Sequence, residues 1–89
     1  MNFCSEPGRI FARDENGRLV AEVTFPQQDG VAVINHTFVD PSLRGQGVAG
    51  QLLQAAADTL RKQGLRAHPT CSYAVHWFSV HPDQQDLLV

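Results

Sequence analysis

The sequence predicts a single α/β domain of the α+β kind: an antiparallel meander of three strands, a helix, a parallel fourth strand and a C-terminal helix. Three observations carry that reading. Short alternating apolar runs between Arg9 and Val39 are separated by Asn-Gly and Asp-Gly pairs, the signature of hairpins. A glycine-rich loop then opens a stripe of apolar residues recurring every four positions. A brief apolar segment follows a glycine placed to end that helix.

In chain order, residues 1–8 read as a loose N-terminal segment. RIFARD from Arg9 is the first strand, and Glu15-Asn16-Gly17 turns it into RLVAEVTF, where Leu19, Ala21, Val23 and Phe25 share one face at period two. Gln28, Asp29 and Gly30 turn the chain again. The third strand is VAVINHTFV, Val31 to Val39. Beyond the glycines, Val48, Leu52, Ala56 and Leu60 form a stripe that Ala49 and Leu53 widen, while Gln51, Gln54, Asp58, Arg61 and Lys62 take the other side. Gly64 caps this helix in the left-handed region. LRAH is then a fourth strand, parallel to the third because a helix connects them. Pro69 and Thr70 stop it. From Ser72, Tyr73, Trp77 and Val80 return to helical spacing, and HPDQQDLLV adds one further turn.

Size and composition narrow the function. With 89 residues there is room for one small core, and a chain of that length buries only about 60 % of its unfolded surface. A net charge of −2 without a Lys/Arg cluster argues against a nucleic-acid partner, which requires a basic face. No apolar run approaches the roughly 20 residues that span a bilayer, and MNFCSEPGRI lacks the features of an export signal. A cytoplasmic protein is expected, with Cys4 and Cys71 as free thiols.

Asp40 to Leu53, DPSLRGQGVAGQLL, contains Gly45, Gly47 and Gly50 in the spacing G-x-G-x-x-G. Glycines at the mouth of a helix let an anion approach unpaired N–H groups and the positive end of the dipole. A dinucleotide fold would add an acidic residue about 20 positions on, and the stretch from His68 to Ser72 has none. A nucleoside-triphosphate loop would need Gly-Lys-Ser/Thr, also missing. Arg44-Gly45-Gln46-Gly47-Val48-Ala49 instead matches R-x-x-G-x-G/A, after the strand end Val39-Asp40-Pro41 and before Leu52-Leu53. It resembles the acyl-CoA loop of the GNAT-type N-acetyltransferases. His36-Thr37 ahead of Val39, RGQGVA, and Pro69-Thr70-Cys71 with Tyr73 narrow the resemblance to small single-domain members of about 90 residues, over Arg9 to Leu88.

The resemblance implies a truncated form of that fold, with acetyl-CoA as acyl donor, an amine or protein acceptor, and no metal. It implies that Arg44, Gly45, Gln46, Gly47, Val48, Ala49 and Gly50 cradle the pyrophosphate, while Thr37, Phe38 and Val39 lend backbone to the pantetheine arm. It also places Phe78 where relatives often carry a tyrosine that protonates the departing CoA sulfur. Phe78 can donate nothing.

Acetyl transfer to an amine needs a polarised carbonyl, an unprotonated amine and a proton for the departing thiolate. Cys71, between a strand end and a helix start, sits where amides and the dipole stabilise a thiolate, so it serves as nucleophile or acid, or simply packs as a small hydrophobe. Tyr73 is a second acid or a core aromatic. His36 and His68 are candidate bases, with His36 favoured by its place in the His-Thr motif. Strand alternation sets Asn35 and Thr37 on the face opposite His36. His68, Cys71, His76 and His81 lack common zinc spacing, so no metal site is expected. The leading function is an acetyl-CoA-dependent N-acetyltransferase. Its rivals are a non-catalytic acyl-CoA-binding or sensing module, and a carrier acylated on Cys71.

Overall fold

The computed structural model describes residues 2–89. Seven strands, two α-helices and two 3-10 turns follow one another: β1 (Cys4–Glu6), β2 (Arg9–Arg13), β3 (Leu19–Thr24), β4 (Gln27–Gln28), β5 (Val31–Ile34), β6 (His36–Val39), a 3-10 turn (Pro41–Leu43), α1 (Val48–Gln63), β7 (Arg66–Pro69), α2 (Ser72–Ser79) and a second 3-10 turn (Pro82–Leu87). The α+β class and the order strands, loop, helix, parallel strand, helix are as the sequence predicts.

Several details differ. Within the segment expected to be loose, Cys4–Glu6 pairs antiparallel with β2, extending the sheet by one strand. Ladder hydrogen bonds offset the lack of buried side chains in this edge. In β3, Val20 turns inward beside Ala21 and Val23, and Leu19 is only half-buried, because a bulge shifts the register between Ala12 and Arg13. The third expected strand is two strands that belong to different sheets. β6 completes the antiparallel sheet β1-β2-β3-β6, whereas β5 lies between β4 and β7 in a second, mixed sheet. Asn35 marks the break.

The turns behave as their residues dictate. Asp29 and Gly30 both have positive φ, 55° and 80°, the pair of left-handed residues that a tight β4–β5 hairpin requires. α1 buries Val48, Leu52, Leu53, Ala56, Ala57 and Leu60 on one side. That stripe packs on Ile10, Ala12, Val23, Ala32 and Ile34 of the sheets and on Ala74, Trp77 and Phe78 of α2. Each buried leucine contributes about 1.5–3 kcal/mol of transfer free energy, so α1 fixes the arrangement of both sheets. Gly64, at φ +69°, ends the helix and donates its N–H to the carbonyls of Arg61 and Leu60.

α2 places Trp77 and Phe78 inward, 3 % and 2 % exposed, while Tyr73 and Val80, expected on the same face as Trp77, reach the surface. The outer edge of β7 is covered by the extended C-terminal residues: Leu88 bridges Ala67, and Val89 N–H donates to Ala67 O. No helix among the described residues is long and apolar enough to cross a membrane.

Candidate active site

The change of partner at Asn35 opens a wedge in the molecule. β5 pairs with β7 through Ile34↔Pro69, and the Thr70 and Cys71 amides both donate to Ile34 O at 2.9 and 3.2 Å, which closes the apex. Past that point β6 keeps its partner on only one side. Asp40 N–H donates to Val20 O, and by strand alternation Phe38 shares this orientation toward β3. Thr37 and Val39 therefore turn their N–H and C=O groups to the open edge. Across it, Thr37 Oγ1 lies 3.4 Å from Cys71 Sγ.

The loop follows directly. Asp40 starts it: its carboxylate accepts from the Ser42 N–H at 3.0 Å, from the Ser42 hydroxyl and from Arg18 Nη1 at 3.0 Å. The Ser42 hydroxyl first, then the Ser42 N–H and the Arg18 guanidinium, hold the Asp40 carboxyl below the usual carboxylate range, outweighing its burial. Gly45 at φ +83° and Gly47 at φ +73° then carry the chain through left-handed conformations into α1. None of the six amides from Gly45 to Gly50 donates to a protein group among the described residues; the first α1 bond is from Gln51 N–H to Gly47 O. Together they present unpaired donors at the positive end of a 16-residue helix.

This segment borders a cavity of about 230 Å³, walled by Val39 and Leu43, by Arg44, Gly45 and Gly47, by the first turn Val48 to Gly50, and by Tyr73. The donor set suits a diphosphate, and the apolar wall suits an aliphatic arm. A larger concavity of about 390 Å³ lies at the opposite end of α1 beside Pro7, Phe25, Pro26, Gln63 and Leu65. It has no titratable or nucleophilic side chain, so the smaller cavity is the candidate site.

The structure thus brings Thr37 to Cys71, and Val39, Arg44, Gly45, Gly47, Val48, Ala49, Gly50 and Tyr73 around one cavity. Gln46 and Phe38 do not line it. His36 lies on the other face of β6, where its Nε2 is 3.5 Å from Glu22 Oε1. Asn35 departs from the expected alternation: at the break its Oδ1 accepts from Thr24 Oγ1, on the side of His36. His68 is exposed on β7. Gly50 faces α2, and a Cβ there would meet the Tyr73 hydroxyl at 3.9 Å and Trp77 Nε1 at 4.0 Å. Burial pushes the Tyr73 hydroxyl above the ordinary tyrosine value, which keeps it a donor through the neutral range. Phe78 is 2 % exposed and packs edge-on against Trp77 at 5.0 Å. No group of three metal-ligating side chains is assembled among the described residues.

Glu22 and Asp40 have site-related positions that the sequence reading did not single out. Glu22 sits on an alternating strand as an ordinary outward residue, and only the register opposite Phe38 brings it to His36. Asp40-Pro41-Ser42 did carry a signal, the Asp-x-Ser turn that caps a helical turn.

Fold and site together define a class: an α/β domain in which an anion cradle at a helix start opens onto the splayed edge of a mixed sheet, the acetyltransferase fold. The family described as GCN5-related N-acetyl-transferase matches residues 9–87, and the chain belongs to it. Protein NATD1 of Bos taurus is 39% identical over 54 residues, 61% of this chain and 48% of that protein. The Homo sapiens NATD1 is 37% identical over the same length. The chain thus spans about half the length of the curated relatives it matches. A Staphylococcus aureus protein classed as GCN5-like, solved by NMR, superposes with a TM-score of 0.82 at 27% identity, covering 99% of this chain and 87% of that one. Tetrahymena GCN5 shares the fold at a TM-score of 0.65 and 15% identity, over 80% of this chain and 47% of its own.

Proposed function

We propose that this chain is an N-acetyltransferase that takes its acetyl group from acetyl-CoA and passes it to an amine. The observation that carries the reading is the run of unpaired amides from Gly45 to Gly50, whose residues other than Gln46 line a cavity next to the free edge of β6. In this reading the amides and the α1 dipole hold the pyrophosphate, with Arg44 beside it. The outward N–H and C=O groups of Thr37 and Val39 bind the amide-bearing arm, and Phe38 and Gln46 complete the two segments. Acetyl-CoA supplies an activated thioester carbonyl.

The slot directs that carbonyl toward Thr37 and Cys71. Cys71 gives its proton to the departing sulfur, a role the buried phenyl ring of Phe78 cannot fill. Tyr73, protonated and on the same cavity wall, is the second donor. His36 is the base that receives a proton from the acceptor.

The test is to titrate the purified protein with acetyl-CoA, follow CoA release with and without a panel of amines, and weigh the intact protein. Binding with amine-dependent release is expected. Absence of acetyl-CoA binding would remove the reading. Binding without release in any amine would make the chain an acyl-CoA-binding module. In Cys71→Ala, turnover should be lost and binding retained; unchanged turnover would return the thiol to a packing role. A mass gain of one acetyl group, absent in Cys71→Ala, would make Cys71 the nucleophile.

A further inference from the structure

Helices cover only one face of the antiparallel sheet. On the covered face, Ile10, Ala12, Ala21 and Val23 meet α1 and α2, and Thr37 shares their orientation through its register with Val23. The opposite face carries Arg9, Phe11, Glu22 and His36. His36 and Thr37 are neighbours on β6, so one residue step along the strand crosses the sheet from the Cys71 slot to this uncovered face. An acceptor reaching the slot from there meets His36 first.

His36 is not an isolated surface residue. Its Nε2 is 3.5 Å from Glu22 Oε1, with the imidazole 54% exposed and the carboxylate only 15%. Glu22 is held from the other side by Arg9 Nε, and the Arg9 guanidinium lies 3.9 Å above the Phe11 ring while also reaching Glu6 at 3.2 Å. Glu22 is therefore ion-paired with Arg9, recessed and fixed in place. Those properties disqualify it as the base and suit it to orient one.

We propose that Glu22 is a positioning residue for the transfer reaction: on the uncovered face of the sheet it holds the His36 imidazole with Nε2–H toward its carboxylate, leaving Nδ1 free to take a proton from the acceptor amine. The inference rests on the N-acetyltransferase reading above. An ammonium group loses two protons in becoming an amide. One passes to Nδ1, where the imidazolium is stabilised by the Glu22 carboxylate before the proton leaves to water. The other restores the Cys71 thiol, whose own proton has passed to the departing sulfur. The nitrogen lone pair forms the C–N bond, and the electron pair of the broken C–S bond leaves on sulfur.

Two measurements on the full chain decide this. Nitrogen NMR of the His36 ring reports the tautomer without any acceptor: the native protein should hold the Nε2–H form, Glu22→Gln should lose that preference, and Glu22→Asp should recover part of it. A ring spectrum unchanged in Glu22→Gln overturns the proposal. In CoA-release assays with acetyl-CoA and an alkylamine or a lysine peptide, Glu22→Gln should lower kcat about tenfold and His36→Gln about a hundredfold, each with little change in the KM for acetyl-CoA. The double variant should be no slower than His36→Gln alone. A tautomer that responds while kcat does not would overturn the catalytic role and leave the transferase reading standing. A native protein that binds acetyl-CoA but acetylates neither amine would overturn both.

Discussion

At the scale of single residues, the proposed anion cradle depends on glycines for two separate reasons. Gly47 sits at φ +73°, in the left-handed region where a side chain costs about 1–2 kcal/mol, and nothing lies within 4 Å of where its Cβ would stand. The open space beside it belongs to the cradle, so Gly47→Val should keep the fold, by circular dichroism, and lose acetyl-CoA binding by calorimetric titration. A variant that binds normally would remove the loop from the site. Asp40 supports the loop electrostatically. Its folded value is lowered, so its stabilisation is complete above the unfolded value of about 4 and is lost as the pH falls through the folded one. Asp40→Asn should thus melt at a lower temperature at pH 7, with the difference from the native protein shrinking below about pH 4 in thermal melts. Gly45 and Gly47 were legible in the sequence because positive φ selects glycine. The three donors that converge on Asp40 were not, because Arg18 is brought there by strand pairing.

At the scale of elements, α1 was legible almost to the residue. Its stripe from Val48 to Leu60 is long and periodic, and Gly64 marks its end. Gly64→Ala should cost about 1 kcal/mol through the left-handed cap, read from chemical denaturation. An unchanged midpoint would mean that another group terminates the helix. The segment Val31–Val39 shows the opposite case. No glycine, proline or turn pair interrupts it at Asn35, so it reads as one strand. The break arises because β7 claims its first half and β3 its second. Partner choice of this kind leaves no local mark, and the wedge carrying Thr37 and Cys71 follows from it.

At the scale of the whole molecule, one small core holds two sheets and two helices together. Leu52 is fully buried at the contact of α1 with the sheets. Leu52→Ala should cost about 2–5 kcal/mol, a large part of the roughly 5–15 kcal/mol that stabilises a typical domain. A large drop in the thermal midpoint is the expected result; a drop of only a few degrees would mean that the core refills the cavity.

What the sequence determined by itself was local: turns that need glycine, the period of α1, the loop that leaves amides unpaired at a helix start, and the strand-helix order of an acetyltransferase fold. These follow from backbone sterics and from the spacing of apolar residues, both written in neighbouring positions. Tertiary structure alone decided which strand edge stays open, that Thr37 meets Cys71, that Tyr73 joins the loop cavity, and that His36 faces Glu22 on the other side of the sheet. Those contacts join residues far apart in the chain, and their formation depends on the pairing and packing of the whole domain.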